Sequence, residues 1–388
     1  MNNPITICSY AICGDEPVSF VKRWLKCVKP SDFIVVLCTK PDSAAADYLT
    51  SLRQANLFVY AQDFIPWRFD TARNQSLRLA ELTGADLYFC SDIDECVIPD
   101  FYTDCKKAVE GHPQVMRVWY KFASKVSKQT SKYTGEVDTW FWNNKVHQKG
   151  WTWEYPVHET LVCPPGLYKE SVFLDENKIY LYHLPDNRPR TSYLPLLELR
   201  VEENKDDVYS LFYLMREYSF YRNYDRVLEV GTHLFNVLSK NTDSDMKAIT
   251  CLYLGRYSWY KGLKYAACGY LKESLNYNPR MKDAHIRLAQ YLAYIGDPKS
   301  AREVLDAMHN VEKFDLGDWR LDQYLYKPWK ELQILADIYC WEGDLEKSKE
   351  YIEKARSNIK DTSTELQASW ENFYNDEQFI LNKYKELK

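Results

Sequence analysis

The sequence predicts an α/β amino-terminal domain followed by an all-α repeat domain. Two observations carry that reading. Over the first hundred residues short apolar strands alternate with amphipathic helices, the pattern of βαβ units in a mostly parallel sheet covered on both faces. Beyond about residue 204 the chain turns helical and an internal period appears, with Gly262 and Gly296 lying 34 residues apart.

The amino-terminal elements follow in order: "ITICSYAI" as strand, "EPVSFVKRWLKCV" as helix, "FIVVLC" as strand, "AADYLTSLRQA" as helix, "LFVYA" as strand, "ARNQSLRLAELT" as helix and "LYFC" as strand. From about 100 to 200 the pattern is less regular and strongly aromatic, and "MRVWYKF", "TWFWNN", "WTWEYPVHETL" and "KIYLYHL" read as shorter, mixed strands. Rings of this kind either finish the sheet or line a cleft for a flat ligand such as a sugar.

In the second half "YKGLKYAACGYLKESLNYNP" aligns with "YIGDPKSAREVLDAMHN", placing Ala267 over Ala301. A third copy, "CWEGDLEKSKEYIEKARS", carries Gly343 after an insertion around "FDLGDWRLDQYLYKP", and an earlier copy has Asn223 near the turn where the others have glycine. Small residues where helices meet, packing aromatics and a glycine turn resemble the tetratricopeptide repeat, in about four copies over residues 205 to 358. The segment to Lys388 reads as a terminal helical cap. The domains are therefore expected at 1–204 and 205–388.

A chain of 388 residues with 46% hydrophobic content can fill two or three cores. Its formal charge of −5 argues against a generalised nucleic-acid surface. No apolar run approaches the roughly 18 residues of a membrane span, and "MNNPITICSYAICGDEP" lacks the basic start of a secretory signal, so a cytoplasmic location is expected. The eleven cysteines form no CxxC pair and sit in apolar segments, which points to buried free thiols.

"LYFCSDIDECVIP" places Asp92, Asp94 and Glu95 directly after an apolar strand. In open α/β sheets ligands bind beyond the carboxyl ends of the strands. Residues two apart along an extended backbone project to one side, so Asp92 and Asp94 are expected to converge on a hard divalent cation, Mg²⁺ or Mn²⁺ rather than zinc. A second DxD, Asp243-Ser244-Asp245, lies in polar "SKNTDSDMK" and reads as a helix cap. Upstream, Arg68 and Arg73 bracket a helix start capped by Asp70 or Thr71, an arrangement suited to phosphate.

"WRFDTARNQSLRLAELTGADLYFCSDIDE" is similar to a stretch of family 2 glycosyltransferases of the type-A fold. In those enzymes a phenylalanine, an Ala-Arg-Asn helix start, an apolar strand and a DxD follow in that order. "YPVHETL" and "IYLYHLPDNRPRTSYLPLLELRVEENKDD" resemble the His-Glu and late-histidine elements of members that carry tetratricopeptide repeats behind the catalytic domain. The resemblance spans nearly the whole chain and implies a Rossmann-like, mixed-sheet catalytic domain.

It implies an inverting, in-line transfer of a sugar from a nucleotide-diphosphate donor, expected to be a UDP-sugar, to an unidentified acceptor. Asp92 and Asp94 would hold the Mn²⁺ or Mg²⁺, with His183 as a late ligand or diphosphate contact. Arg73, beside Asn74, would touch the phosphates. Nucleotide contacts would come from Asp15, Glu16, Thr39 and Asp42, although "CGDEP" and "TKPDSA" depart from the usual Asn-Glu and Asp-Gly. Glu159 is the expected base, with His158 orienting it or contacting substrate, and Asp138 is its competitor.

Two other classes remain open at this level. One is a catalytically silent scaffold that binds peptides through its repeats, and the other is a nucleotidyltransferase, which would want a glycine-rich loop that "SYAICGDEP" lacks. The ring-rich repeat segment, with Tyr253, Tyr257, Trp259, Tyr260, Tyr291 and Tyr294, suggests a homodimer or an acceptor-binding face.

Overall fold

The computed structural model describes residues 4–110, 115–126, 137–163, 165–166, 170–184, 193–239, 243–311 and 328–358. The chain divides into two compact units, one ending at Glu203 and the other beginning at Asn204.

In the first unit, strands β1 (Ile7–Cys13), β2 (Phe33–Cys38), β3 (Leu57–Ala61) and β4 (Leu87–Cys90) pair in parallel, in the order β3-β2-β1-β4. β1, β2 and β4 are built from apolar residues buried on both faces, as strands covered by helices on each side must be. Alternate residues serve different cores. Ile7, Ala11, Ile34, Val36, Leu87 and Phe89 pack under helices α1 (Val18–Val28), α2 (Ala44–Ser51) and α4 (Phe101–Val109). Cys8, Tyr10, Val35, Tyr88 and Cys90 face Leu77 and Ala80 of α3 (Phe69–Glu81).

Beyond β4 the sheet continues through β7 (Val137–His147), β6 (Val115–Val126), β11 (Ile179–His183) and β5 (Glu95–Val97), with β10 (Glu170–Phe173) paired to β6. β4–β7, β6–β7 and β11–β5 are antiparallel, so the sheet is mixed. The aromatic segment forms short strands only in part: β11 and two strands of "WTWEYPVHETL" run for three to five residues, whereas the other two stretches do not. β6 and β7 run for 12 and 11 residues, because each continues past its aromatic cluster to pair along the other. "WTWEYPVHETL" leaves the sheet and forms a separate ribbon of β8 (Thr152–Glu154) and β9 (Thr160–Val162) over α3.

The second unit is a series of helical hairpins: α6 (Val208–Phe220) with α7 (Tyr224–Leu238), α8 (Ser244–Tyr260) with α9 (Lys264–Tyr277), α10 (Lys282–Tyr294) with α11 (Pro298–His309), and α12 (Pro328–Glu342) with α13 (Leu345–Asn358). Gly262, Gly296 and Gly343 sit at φ near +80° in the last three turns, where a Cβ is disfavoured. In the first hairpin Arg222 takes that conformation at φ 54. Asn223, expected at the turn, instead caps α7 by accepting from the Arg226 amide. Ala267 and Ala301 are fully buried, as the alignment of the copies requires.

Tyr253, Tyr257 and Tyr291 are buried, and Trp259 stacks on Tyr291 at 3.9 Å. These rings therefore serve helix packing, while Tyr260 stays half-exposed. Asp243 caps α8 through the Met246 amide, so the second DxD is a cap. The insertion at 312–327 and the segment after Asn358 lie outside the described residues. All eleven cysteines are free and buried. Among the described residues no helix is long and apolar enough to cross a membrane.

Candidate functional site

A cleft of about 440 Å³ opens at the carboxyl ends of β1 and β4, where the parallel order β3-β2-β1-β4 changes direction. Open α/β sheets place ligands at that position. Ile12 and Glu16 line it from β1 and the loop after it, Asp92 and Asp94 from beyond β4, Arg73 and Phe69 from α3, and Trp153 and Glu159 from the ribbon. Helix α1 fixes the end of β4, since Trp24 donates to Ser91 Oγ at 2.8 Å.

The DxD segment is not extended. The Glu95 amide donates to the Asp92 carbonyl at 2.9 Å, closing a turn, and the expected convergence of Asp92 and Asp94 by strand alternation does not occur. Asp92 accepts from Arg73 at 2.6 Å and from Lys145 at 3.2 Å. Asp94 instead meets His183 Nε2 at 3.1 Å. Both still face the same cleft.

Arg73 is buried, with 5% of its surface exposed, and bridges three groups. It donates to Asp92, to Glu159 through Nε and to the Cys90 sulfur at 3.1 Å. Burial opposes its charge, but Asp92 and Glu159 outweigh that and hold its pKa well above the usual arginine value. The structure thus uses Arg73 to position two carboxylates, which leaves little of its donor set for phosphate. Arg68, its expected companion at the helix start, is engaged by Asp70 at 2.8 Å and by Glu203. Asp70 lies inside the first turn of α3, and no side chain caps that helix.

Burial raises the Asp92 pKa, yet Arg73 and Lys145 reverse the effect and hold it well below the carboxylate range. Glu95, 3% exposed, accepts from Lys145 at 3.1 Å and from the Asp92 amide at 2.9 Å. Burial, with Asp92 and Asp94 nearby, pushes it up to about 7. His183 is raised in spite of burial, because of its hydrogen bond to Asp94 and the negative field of Glu95 and Asp92.

The loop before Glu159 is tightly held. Tyr155 and His158 have positive φ, 80 and 50, uncommon for such residues. Arg200, in α5 (Tyr193–Glu203), donates to the carbonyls of Val157 and His158 at 3.0 and 3.1 Å. His158 stacks on Tyr193 at 5.6 Å.

The remaining expected residues fall into two groups. Asn74 exchanges hydrogen bonds with the Trp153 backbone at 2.7 and 2.8 Å, so it docks the ribbon on α3 and is not itself part of the cleft lining. Thr39 donates to the Cys13 carbonyl, Asp15 pairs with Lys40 at 2.9 Å on the surface, and Asp42 is exposed. All three lie outside the cleft lining, while Glu16 lies within it. The Asp138 side chain lies outside the described residues.

Lys145 is the residue the sequence reading missed. It is a lone basic residue in "FWNNKVH" on β7, projecting to the α3 side where Cys90 and Arg73 stand. Its strand also carries Asp138, Thr139, Asn143, Asn144 and His147, so the local sequence held no signal that set Lys145 apart.

The cleft lining holds, among the described residues, four carboxylates, Glu16, Asp92, Asp94 and Glu159, against the two fixed cations Arg73 and Lys145. Among the described residues no three His, Cys, Asp or Glu side chains cluster as a closed metal site. Asp94 and His183 offer two donors side by side. The Asp94 carboxylate fits the oxygen preference of Mg²⁺ or Mn²⁺, which keep several waters and complete their shells with substrate phosphates, while the His183 imidazole fits it less well.

No family profile matches the chain, and no curated protein matches it. Among solved structures it is similar to MamA, at 16% identity and TM-score 0.34, over 42% of this chain and 85% of that one. It is also similar to a thermophilic TPR protein of Thermus thermophilus, at 19% identity and TM-score 0.31, over 47% of this chain and 88% of that one. At these scores the likenesses carry nothing over, and the helical repeats stand on the hairpins described above.

Proposed function

We propose that the amino-terminal unit is a metal-dependent inverting glycosyltransferase acting on a nucleotide-diphosphate sugar, with a UDP-sugar as the expected donor and an acceptor still to be identified. The observation that carries this reading is the charge of the cleft. With four carboxylates against two fixed cations among the described residues, that lining repels a diphosphate unless a divalent cation joins them. Asp94 and His183 are the residues that would hold that ion, which supplies charge neutralisation at the leaving diphosphate.

The chain's own groups would do the rest. Arg73 and Lys145 fix Asp92, the Phe69 and Tyr193 rings offer flat surfaces to a sugar, and Glu159 accepts the proton of the attacking acceptor. Only one oxygen of Glu159 is bonded to Arg73, so the other remains to act as base.

The test is a screen of nucleotide sugars for hydrolysis and transfer with Mn²⁺ and Mg²⁺, read by mass spectrometry. Chelation is expected to abolish turnover, and Asp94→Asn to lower it by roughly a hundredfold. Full turnover after chelation removes the metal from the proposal. A second reading, a silent scaffold acting through the repeats, draws on the ion pair that holds Glu159 against Arg73. It predicts no turnover with any donor.

A further inference from the structure

A second pocket, of about 270 Å³, shares no lining residue with the cleft. It lies between the start of β6, the edge of β10 and the β8–β9 ribbon, and Arg117, Trp151, Thr160, Leu161, Cys163 and Ser171 line it.

Arg117 lacks an acidic partner there. Its guanidinium lies 4.2 Å from the Trp151 ring centroid and 5.6 Å from that of Trp119. One N–H reaches the Leu161 carbonyl at 3.2 Å, while its Nε is buried with no hydrogen-bond partner. Burial lowers its pKa, opposed only by the Cys163 thiol, and among the described residues no carboxylate pairs with it. The neighbouring segments 111–116 and 164–169 contain no Asp or Glu in their sequence. Trp151, 3% exposed, likewise has an indole N–H without a partner.

Buried donors are ordinarily matched, and a half-buried cation without a counter-ion is costly. Those two donors are sealed from the pocket itself, but the Arg117 charge at its wall has no counter-ion among the described residues and calls for an anion. The shape of the donor set says which kind. A guanidinium fork matches a planar carboxylate in two parallel bonds. Leu161, Val162 and the Trp151 ring supply an apolar wall beside it, which a bare inorganic ion does not use.

We infer that this pocket binds a small organic carboxylate, its charged end on Arg117 and its apolar body against Leu161 and Trp151.

The test is calorimetric titration of the full chain with butyrate, benzoate, acetate and inorganic phosphate at matched ionic strength. Butyrate or benzoate is expected to bind saturably and more tightly than acetate. Arg117→Met should weaken that binding roughly tenfold or more, the scale of a lost charge-assisted hydrogen bond. Because Arg117→Met also removes packing from Trp151, Ser171→Phe provides a second check. Ser171 is exposed at the pocket edge, and a ring there should close the mouth without disturbing the core. Equal affinity in the wild-type chain and both variants overturns the inference, as does saturable binding of phosphate alone or of no anion at all.

Discussion

Arg73 sets how the acidic groups of the cleft stand. It is nearly inaccessible and holds Asp92 and Glu159 at once, so removing it strips Glu159 of its cation and leaves Asp92 with Lys145 alone. Arg73→Met is expected to cost about 3–5 kcal/mol, the scale for breaking a buried ion pair from one side, measured by urea denaturation. Adding Glu159→Gln to that variant should cost less than the sum of the two single changes, because they share one interaction. A strictly additive result would mean the pair is not coupled. Glu159→Gln alone separates binding from chemistry. If Glu159 is the base, turnover falls by roughly 10²–10⁴ while donor affinity stays nearly unchanged. Near-normal turnover would move the role to Asp138 or another group.

Elements depend on contacts that a single residue type can forbid. Gly255 of α8 lets α9 approach so closely that an added Cβ would lie 2.8 Å from Leu271 Cγ and 3.1 Å from the Ala267 carbonyl oxygen. The carbonyl belongs to backbone and cannot swing aside. Gly255→Ala is therefore expected to destabilise the repeat unit by about 1–3 kcal/mol, the usual cost of overpacking, although alanine is the better helix former. Unchanged stability in a thermal melt would show that the hairpin relaxes. The repeat hairpins were legible from sequence because each is local: its turn glycine, small contact residues and apolar stripe lie within one period. The alternating strands and helices of the first hundred residues were legible for the same reason. Less could be read from "MRVWYKF" and "TWFWNN", whose lengths as β6 and β7 are set by pairing along each other. At the site, the approach of Asp92, Glu95 and Lys145 depends on a turn and on a strand some fifty residues later. Local spacing holds no record of either.

Across the whole chain, each unit buries a histidine in its neutral form. His147 is fully buried, within hydrogen-bonding distance of the Tyr10 hydroxyl at 3.0 Å and the Gln148 carbonyl at 2.7 Å, and burial lowers its pKa to about 4. His285 is likewise lowered by burial, despite the Pro279 and Val304 carbonyls beside it. The unfolded chain takes up these protons as pH falls through about 6.5, while the folded chain takes them up only at lower pH, near 4 for His147. Their stabilising contribution is thus complete above about 6.5 and is lost on acidification toward the folded values. For His147 the loss amounts to roughly 2 kcal/mol by pH 5. Glu95, pushed up to about 7, works in the opposite sense over the same window. Its contribution is complete below the ordinary carboxylate value and is lost as pH rises through about 7, so it masks part of the histidine effect. Asp92 is depressed and acts only at lower pH. The comparison that isolates the histidine is therefore wild type against His147→Gln, each denatured in urea at pH 7.5 and pH 5. The variant should start less stable at pH 7.5 for want of its buried contacts, and should then gain on the wild type as the pH falls. Parallel losses in both proteins would show that His147 is already charged in the fold.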